Sequence, residues 1–244
     1  MATLTWHGHS CFMLEHDGTR ILIDPWLDEN PTADIKSGEV GKVDYILVSH
    51  GHSDHFADCI KIAKKTDATV ISTFELVAFC QKEGVKNGHG MNIGGAYLFP
   101  FGRVKLTPAL HTGSIAGDDE GAFTTDCCGF LISLDGGPSI YHAGDTALIT
   151  DMQLLQGRVG VAILPIGDNF TMGPEDAARA VEMIQPEVVI PMHYNTFEVI
   201  TQDPEAFRQM VGDAARVEIL QPGGSFQAGV GDPPSSDSEA DADA

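Results

Sequence analysis

Apolar and polar positions alternate over 4–6, 11–15 and 19–24, a period of two that predicts short strands with one face buried. Asp17-Gly18, between the second and third, supplies the two-residue turn of a hairpin. Positions 43–49, Val-Asp-Tyr-Ile-Leu-Val-Ser, form a nearly unbroken apolar run, which predicts a strand covered on both faces. The period then changes. Over 58–65, Ile60, Ile62 and Ala63 oppose Lys61, Lys64 and Lys65, the pattern of a helix. A strand over 68–72 and a helix over 74–83 follow, the helix closed by Gly84. Strands are predicted over 96–109, 129–134 and 139–142, with Asp135-Gly136-Gly137 turning between the last two. Strands over 161–165, 188–191 and 217–220 then alternate with helices over 174–184 and 204–211. Pro174 opens the first of these helices, with Glu175 and Asp176 in the turn where the helix dipole favours anions. Strands precede helices in each half. That order predicts an α/β chain built as a four-layer α/β/β/α sandwich, two mixed sheets flanked by helices.

Positions 227–244 break the pattern. They carry five acidic residues, no basic one and no large apolar residue besides Val230, so too little apolar area is available to offset the entropy of ordering. The chain therefore divides into a folded unit over 1–226 and an acidic, disordered tail over 227–244. Its 244 residues, 43% hydrophobic, suffice for a core without disulfide staples. Charge narrows the partners. With 14 Lys and Arg against 35 Asp and Glu, the net charge is -21, and a long nucleic acid would be repelled. No apolar run approaches the length of a membrane span, so no membrane partner is expected. Five cysteines without a CxxC spacing, after an N-terminus lacking a signal-peptide pattern, predict reduced thiols and a cytoplasmic location.

The chemistry concentrates in Ser49-His50-Gly51-His52-Ser53-Asp54-His55, directly after the predicted buried strand. Imidazoles and carboxylates at this density suit a first-row metal ion. His50 and His52 point the same way if the segment is extended, and Asp54 and His55 follow once the chain turns into a helix. One ion needs three or four ligands, so this segment offers part of the shell for each of two. Three residues at the ends of other predicted strands are candidates to complete them: His111, Asp145 and His193.

His-Gly-His-Ser-Asp-His, a lone histidine, Ala-Gly-Asp and Pro-Met-His together resemble the metallo-β-lactamase superfamily. Trp-His-Gly-His-Ser-Cys-Phe, Tyr-His-Ala-Gly-Asp-Thr and Pro-Met-His-Tyr-Asn-Thr-Phe resemble its uncharacterised branch of metal-dependent hydrolases related to ascorbate-6-phosphate lactonase. The resemblance implies the metallo-β-lactamase fold. It implies one ion on His50, His52 and His111, a second on Asp54, His55 and His193, and Asp145 bridging them. It implies two divalent ions, zinc first, with manganese, nickel and iron compatible with the same ligands. A metal-bridging hydroxide would attack a small ester, lactone or phosphoester, with Asp54 also able to accept a proton. Relatives commonly assemble, which leaves a homo-oligomer open. Two alternatives stand beside this dinuclear hydrolase: a phosphodiesterase acting on a nucleotide or RNA, and a non-catalytic metal-binding protein.

Weaker signals surround the main one. His7 and His9 flank Gly8 at a strand end and are candidates for substrate contact or for support of the ligands, with a plain structural role as the alternative. Asn169, Phe170, Thr171 and Met172 could line the pocket or cap the helix opened by Pro174; Asn195 and Thr196 follow His193 and could contact substrate. Asp24 is expected as a buried carboxylate orienting the ligand loop, and His142 as a support for the ligands or a structural residue rather than a ligand. His16 and His89 read as surface residues.

Overall fold

The computed structural model describes residues 1–119, 121 and 123–229. Strands β1 (Ala2–Trp6), β2 (Phe12–His16) and β3 (Thr19–Ile23) form an antiparallel meander, with Leu4 opposite Leu14 and Leu14 opposite Ile21. The β2–β3 turn is Asp17-Gly18 as predicted, with φ of 46° and 79°, the left-handed pair that matches strand twist. Strands β4 (Tyr45–Leu47), β5 (Thr69–Thr73) and β6 (Gly88–Met91) then add in parallel beyond β3.

A second sheet repeats this scheme. Strands β7 (Ala96–Phe99), β8 (Gly102–Pro108), β9 (Cys128–Leu134) and β10 (Ser139–His142) are antiparallel neighbours. Strands β11 (Val161–Pro165), β12 (Val188–Met192) and β13 (Arg216–Val217) continue it in parallel. The last strand, β14 (Ser225–Ala228), returns to pair with β1, so each sheet has seven strands.

Alternation decides which side chain faces which layer. Ile21, Ile23, Leu47 and Ile71 of the first sheet join Leu106, Phe130 and Ile132 of the second in one buried cluster. Leu22, Ile46 and Val70, one position out of phase, pack beneath α1 (Ser53–Phe56), α2 (Cys59–Thr66) and α3 (Phe74–Lys82) through Phe56, Ile62 and Leu76. Helices α4 (Pro174–Ile184) and α5 (Pro204–Val211) cover the second sheet with Ala177, Val181 and Phe207. The predicted four-layer sandwich is the fold. No helix among the described residues is long and apolar enough to cross a membrane.

Several local expectations are corrected. The stretch 96–109 is a hairpin rather than one strand, because Pro100 cannot donate a ladder hydrogen bond and Phe99 pairs with Gly102 across a two-residue turn. Gly102 has φ of 137°, and a Cβ there would lie 2.2 Å from the Ser133 carbonyl oxygen. β6 was not predicted; its sequence, Gly-His-Gly-Met, carries almost no strand propensity, and the β5 edge recruits it. β13 lies at the start of the stretch predicted as 217–220. Gln227 and Ala228, first residues of the expected tail, are paired in β14, while 230–244 lies outside the described residues.

Candidate metal centre

All the ligand-type residues follow the ends of strands, at one edge of the sandwich. Val48 and Ser49 follow β4 and lead to His50, which is fully buried. Gly51 is required next, because a Cβ there would sit 2.5 Å from the Ser114 carbonyl oxygen. Its own carbonyl accepts from the Ala116 N–H at 2.8 Å, which brings the segment after His111 against the loop. The single turn of α1 then swings Asp54 and His55 to a different side from His52.

Three overlapping groups result. Nitrogens of His50, His52 and His111 lie within 4.8 Å of one another, as do single ligand atoms of His9, Asp54, His55 and His193, and of His50, His55 and Asp145. Asp145, reached after β10 through Gly144, stands between the first two, which lie to either side. Its Oδ2 is 3.1 Å from His193 Nε2, 3.3 Å from His55 Nε2 and 3.6 Å from His111 Nε2. The seven residues singled out by sequence are thus brought together.

One buried carboxylate organises the loop. Asp24 accepts from the Ser49 N–H at 2.7 Å, from Ser49 Oγ at 2.7 Å and from His55 Nδ1 at 2.8 Å. Ser49 has a single hydroxyl proton and gives it to Asp24, so His50 Nδ1, 3.0 Å away, donates to Ser49 Oγ. Both His50 and His55 are therefore held with Nδ1 as donor and Nε2 turned inward, the tautomer a metal ligand needs. His142 holds the other side. Its Nε2 donates to the Ser10 carbonyl at 3.1 Å and its Nδ1 accepts from the Gly144 N–H at 3.2 Å, which places it as structural support for Asp145.

The electrostatics match cation binding. Burial pushes the pKa of His50, His52 and His111 down, so they present lone pairs. Burial also opposes charge on Asp54 and Asp145, but the facing imidazoles outweigh it and hold both carboxylates ionised. His55 goes the other way: against the cost of burial, Asp145 and Asp24 raise it well above the usual imidazole value. At this site four buried atoms, His55 Nε2, Asp145 Oδ1 and both ring nitrogens of His193, have no hydrogen-bond partner among the described residues. Orphaned donors and acceptors of this kind cost free energy unless something compensates them. The donor set and these orphans fit divalent cations.

The weaker candidates separate. His9 is buried inside the second group, with Nε2 3.3 Å from Asp54 Oδ2 and Nδ1 2.8 Å from Thr196 Oγ1. Burial, then His193, pushes it down to about 4. Sequence spacing alone had no means of distinguishing His9 from His7, whose Nδ1 is engaged by Asp34 at 2.8 Å. Asn195 accepts from the Gln202 N–H, closing the loop after β12 rather than facing the ligands. Asn169 and Thr171 lie in the turn before α4, where Asp168 N–H donates to the Met172 carbonyl at 3.0 Å. His16 is buried rather than at the surface, within 2.9 Å of the Asp135 carbonyl.

A cavity of about 650 Å³ opens onto His52, Asp54, His111, Asp145 and His193. Its remaining wall includes Phe170, which the sequence offered as pocket lining, and Phe197, the last residue of the Pro-Met-His motif, together with Trp26 and Val199, which no motif marked.

The family model described as the beta-lactamase superfamily domain matches residues 3–193. A UPF0173 metal-dependent hydrolase of Heliobacterium modesticaldum is 51% identical over 91% of this chain and 96% of its own. Another, from Desulforamulus reducens, is 52% identical over 90% of this chain and 97% of its own. The solved structure of a metallo hydrolase from the archaeon Ignicoccus hospitalis superposes with a TM-score of 0.83 at 37% identity, over 93% of this chain and 98% of that one.

Proposed function

We infer the chemistry of this site from kinship: the chain belongs to the beta-lactamase superfamily and, within it, to the UPF0173 metal-dependent hydrolases. It is a metal-dependent hydrolase. Its finer activity is the hydrolysis of a small ester, lactone or phosphoester at a dinuclear centre. The observation that carries this reading is the pair of ligand groups meeting at Asp145. His50, His52 and His111 would hold one ion, Asp54, His55 and His193 the other, with Asp145 shared; zinc suits these ligands first. When bound, two such cations supply Lewis acidity and lower the pKa of water towards neutrality.

The remaining work falls to side chains. Asp24 and Ser49 keep His50 and His55 in the ligating tautomer. Asp54, ionised and facing the cavity, can accept a proton from an attacking water while His9 orients its carboxylate. The cavity itself supports turnover over storage of metal, since it gives a substrate room beside the ligands. A net charge of -21 weighs against long nucleic acid as substrate. Five free, buried thiols support a reducing, cytoplasmic setting.

Elemental analysis of the purified chain, joined to a metal-reconstituted panel of esters, lactones and phosphodiesters, tests the reading. The expected result is about two ions per chain and turnover of at least one class, with His50→Ala folded but short of an ion and inactive. A fully loaded chain that cleaves nothing on the panel defeats it.

A further inference from the structure

The apolar part of the cavity wall narrows the substrate. We propose that it carries an uncharged apolar acyl or aryl group next to the scissile bond, seated against Trp26, Phe170, Phe197 and Val199. This rests on the hydrolytic reading above and names the substrate class for that site.

Phe170, Phe197 and Val199 are 52%, 38% and 60% exposed. One large apolar side chain in water is ordinary, but three converging with Trp26 on one cavity that also holds a few convergent polar groups form a binding wall. The wall is built before any ligand arrives. Phe197 lies 5.8 Å from the Trp26 ring and 5.7 Å from His9, in a loop closed by the Asn195 N–H to Ile200 carbonyl bond of 2.9 Å. Phe170 sits in the short turn between Asp168 and Met172, where Asp168 and Asn169 both adopt left-handed φ of 61° and 45°. Side chains held in place by such loops lose little freedom when a ligand covers them.

Charge points the same way. Among the described residues, none of the 14 lysines and arginines lines the cavity. The lysines that reach the segment after Trp26 are engaged elsewhere: Lys61 with the Asp28 carboxylate at 2.6 Å, Lys36 with the Asp28 carbonyl at 2.9 Å. A phosphate or carboxylate remote from the scissile bond would lie against this apolar wall with no lysine or arginine to pair it, and burying an unpaired charge there is costly. A phosphorylated sugar or a nucleotide therefore fits this wall poorly, and an acyl chain or aromatic ring fits it well.

The test uses the metal-loaded full chain and the p-nitrophenyl esters of acetate, butyrate and hexanoate, with the mono-glutarate as a carboxylate-ended analogue. Burial of each methylene can raise kcat/KM by up to about fourfold. The expected rise from acetate to hexanoate is at least about tenfold, and the glutarate falls at least about tenfold below hexanoate. Phe197→Ala and Val199→Ser lower the hexanoate-to-acetate ratio while metal content and Tm stay at wild-type values. Calorimetric titration with acetohydroxamate and hexanohydroxamate reads the wall without turnover, and the longer ligand binds tighter. Ester turnover that ignores chain length or prefers the glutarate overturns the proposal and leaves hydrolysis standing. No ester turnover with the hydroxamate gain intact keeps the apolar wall and rejects esters as substrates. Equal affinity for both hydroxamates overturns the proposal by itself.

Discussion

Asp24 touches neither the cavity nor the shared aspartate, yet replacing it by asparagine should weaken both ligand groups. Its carboxylate only accepts, from Ser49 N–H, Ser49 Oγ and His55 Nδ1. The amide of Asp24→Asn keeps one oxygen, enough for the Ser49 N–H, and turns an NH2 towards the other two partners. The Ser49 hydroxyl must then accept, so its proton swings to His50 Nδ1, and His55 Nδ1 must become an acceptor as well. Both rings move their proton to Nε2, the atom that faces the site. Hydrogen bonds to a charged group contribute about 1.5–3 kcal/mol each, and one of the three survives in neutral form. The expected loss of stability, for the two that do not survive, is about 3–6 kcal/mol. Loss of such support typically costs about 10–100-fold in metal affinity, and here it reaches a histidine of each ligand group. Ser49→Ala provides the contrast: it releases only His50, and one ion should weaken more than the other. Competition against a chromophoric chelator, with thermal denaturation of the same samples, measures both quantities. A folded Asp24→Asn that keeps both ions within about threefold of wild type, less than half a decade, would refute the tautomer argument.

Three further outcomes follow from the same geometry. His55 is raised by Asp145 and Asp24, so in the metal-free protein its stabilising charge is complete below the ordinary value near 6.5 and is lost only as pH climbs through the raised one. A cation must displace that proton, so loading at pH 7 should release about one proton from His55; calorimetry in buffers of different ionisation enthalpy that finds no release contradicts this. Gly51→Ala should cost about 1–3 kcal/mol and weaken metal binding, because its Cβ meets the Ser114 carbonyl oxygen at 2.5 Å; an unchanged Tm would show that the loop has slack. Burial pushes Cys127 up to about 12 and Cys11, Cys59 and Cys128 well above the ordinary thiol range, so these remain thiols at pH 8. Ellman's reagent should find them only after unfolding, and rapid labelling of the native chain would contradict their burial.

Much of this molecule is legible in its residue order, and the reason is locality. A strand or helix buries one face, so its period of apolar residues is printed in the chain; α4 spans Pro174–Ile184 as its proline, acidic first turn and apolar spacing predict. A metal-ligand loop is also local when four donors lie within six residues, as they do from His50 to His55. Pairing is not local. β6 exists because β5 offers an unfilled edge, and β14 because the chain's end returns to β1, facts that no window of sequence contains.

The same division runs through the site. His50, His52, Asp54, His55, His111, Asp145 and His193 declare their chemistry by residue type, since imidazoles and carboxylates have few other uses at such density. Sheet order decided that strand ends far apart in the chain deliver them to one edge, with Asp145 between the groups. It also decided that His9, and not His7, enters among them. The apolar wall belongs mostly to the tertiary structure: the sequence offers Phe170 as pocket lining, but Trp26 and Val199 read like any other apolar residues until the fold gathers them on one cavity with the ligands.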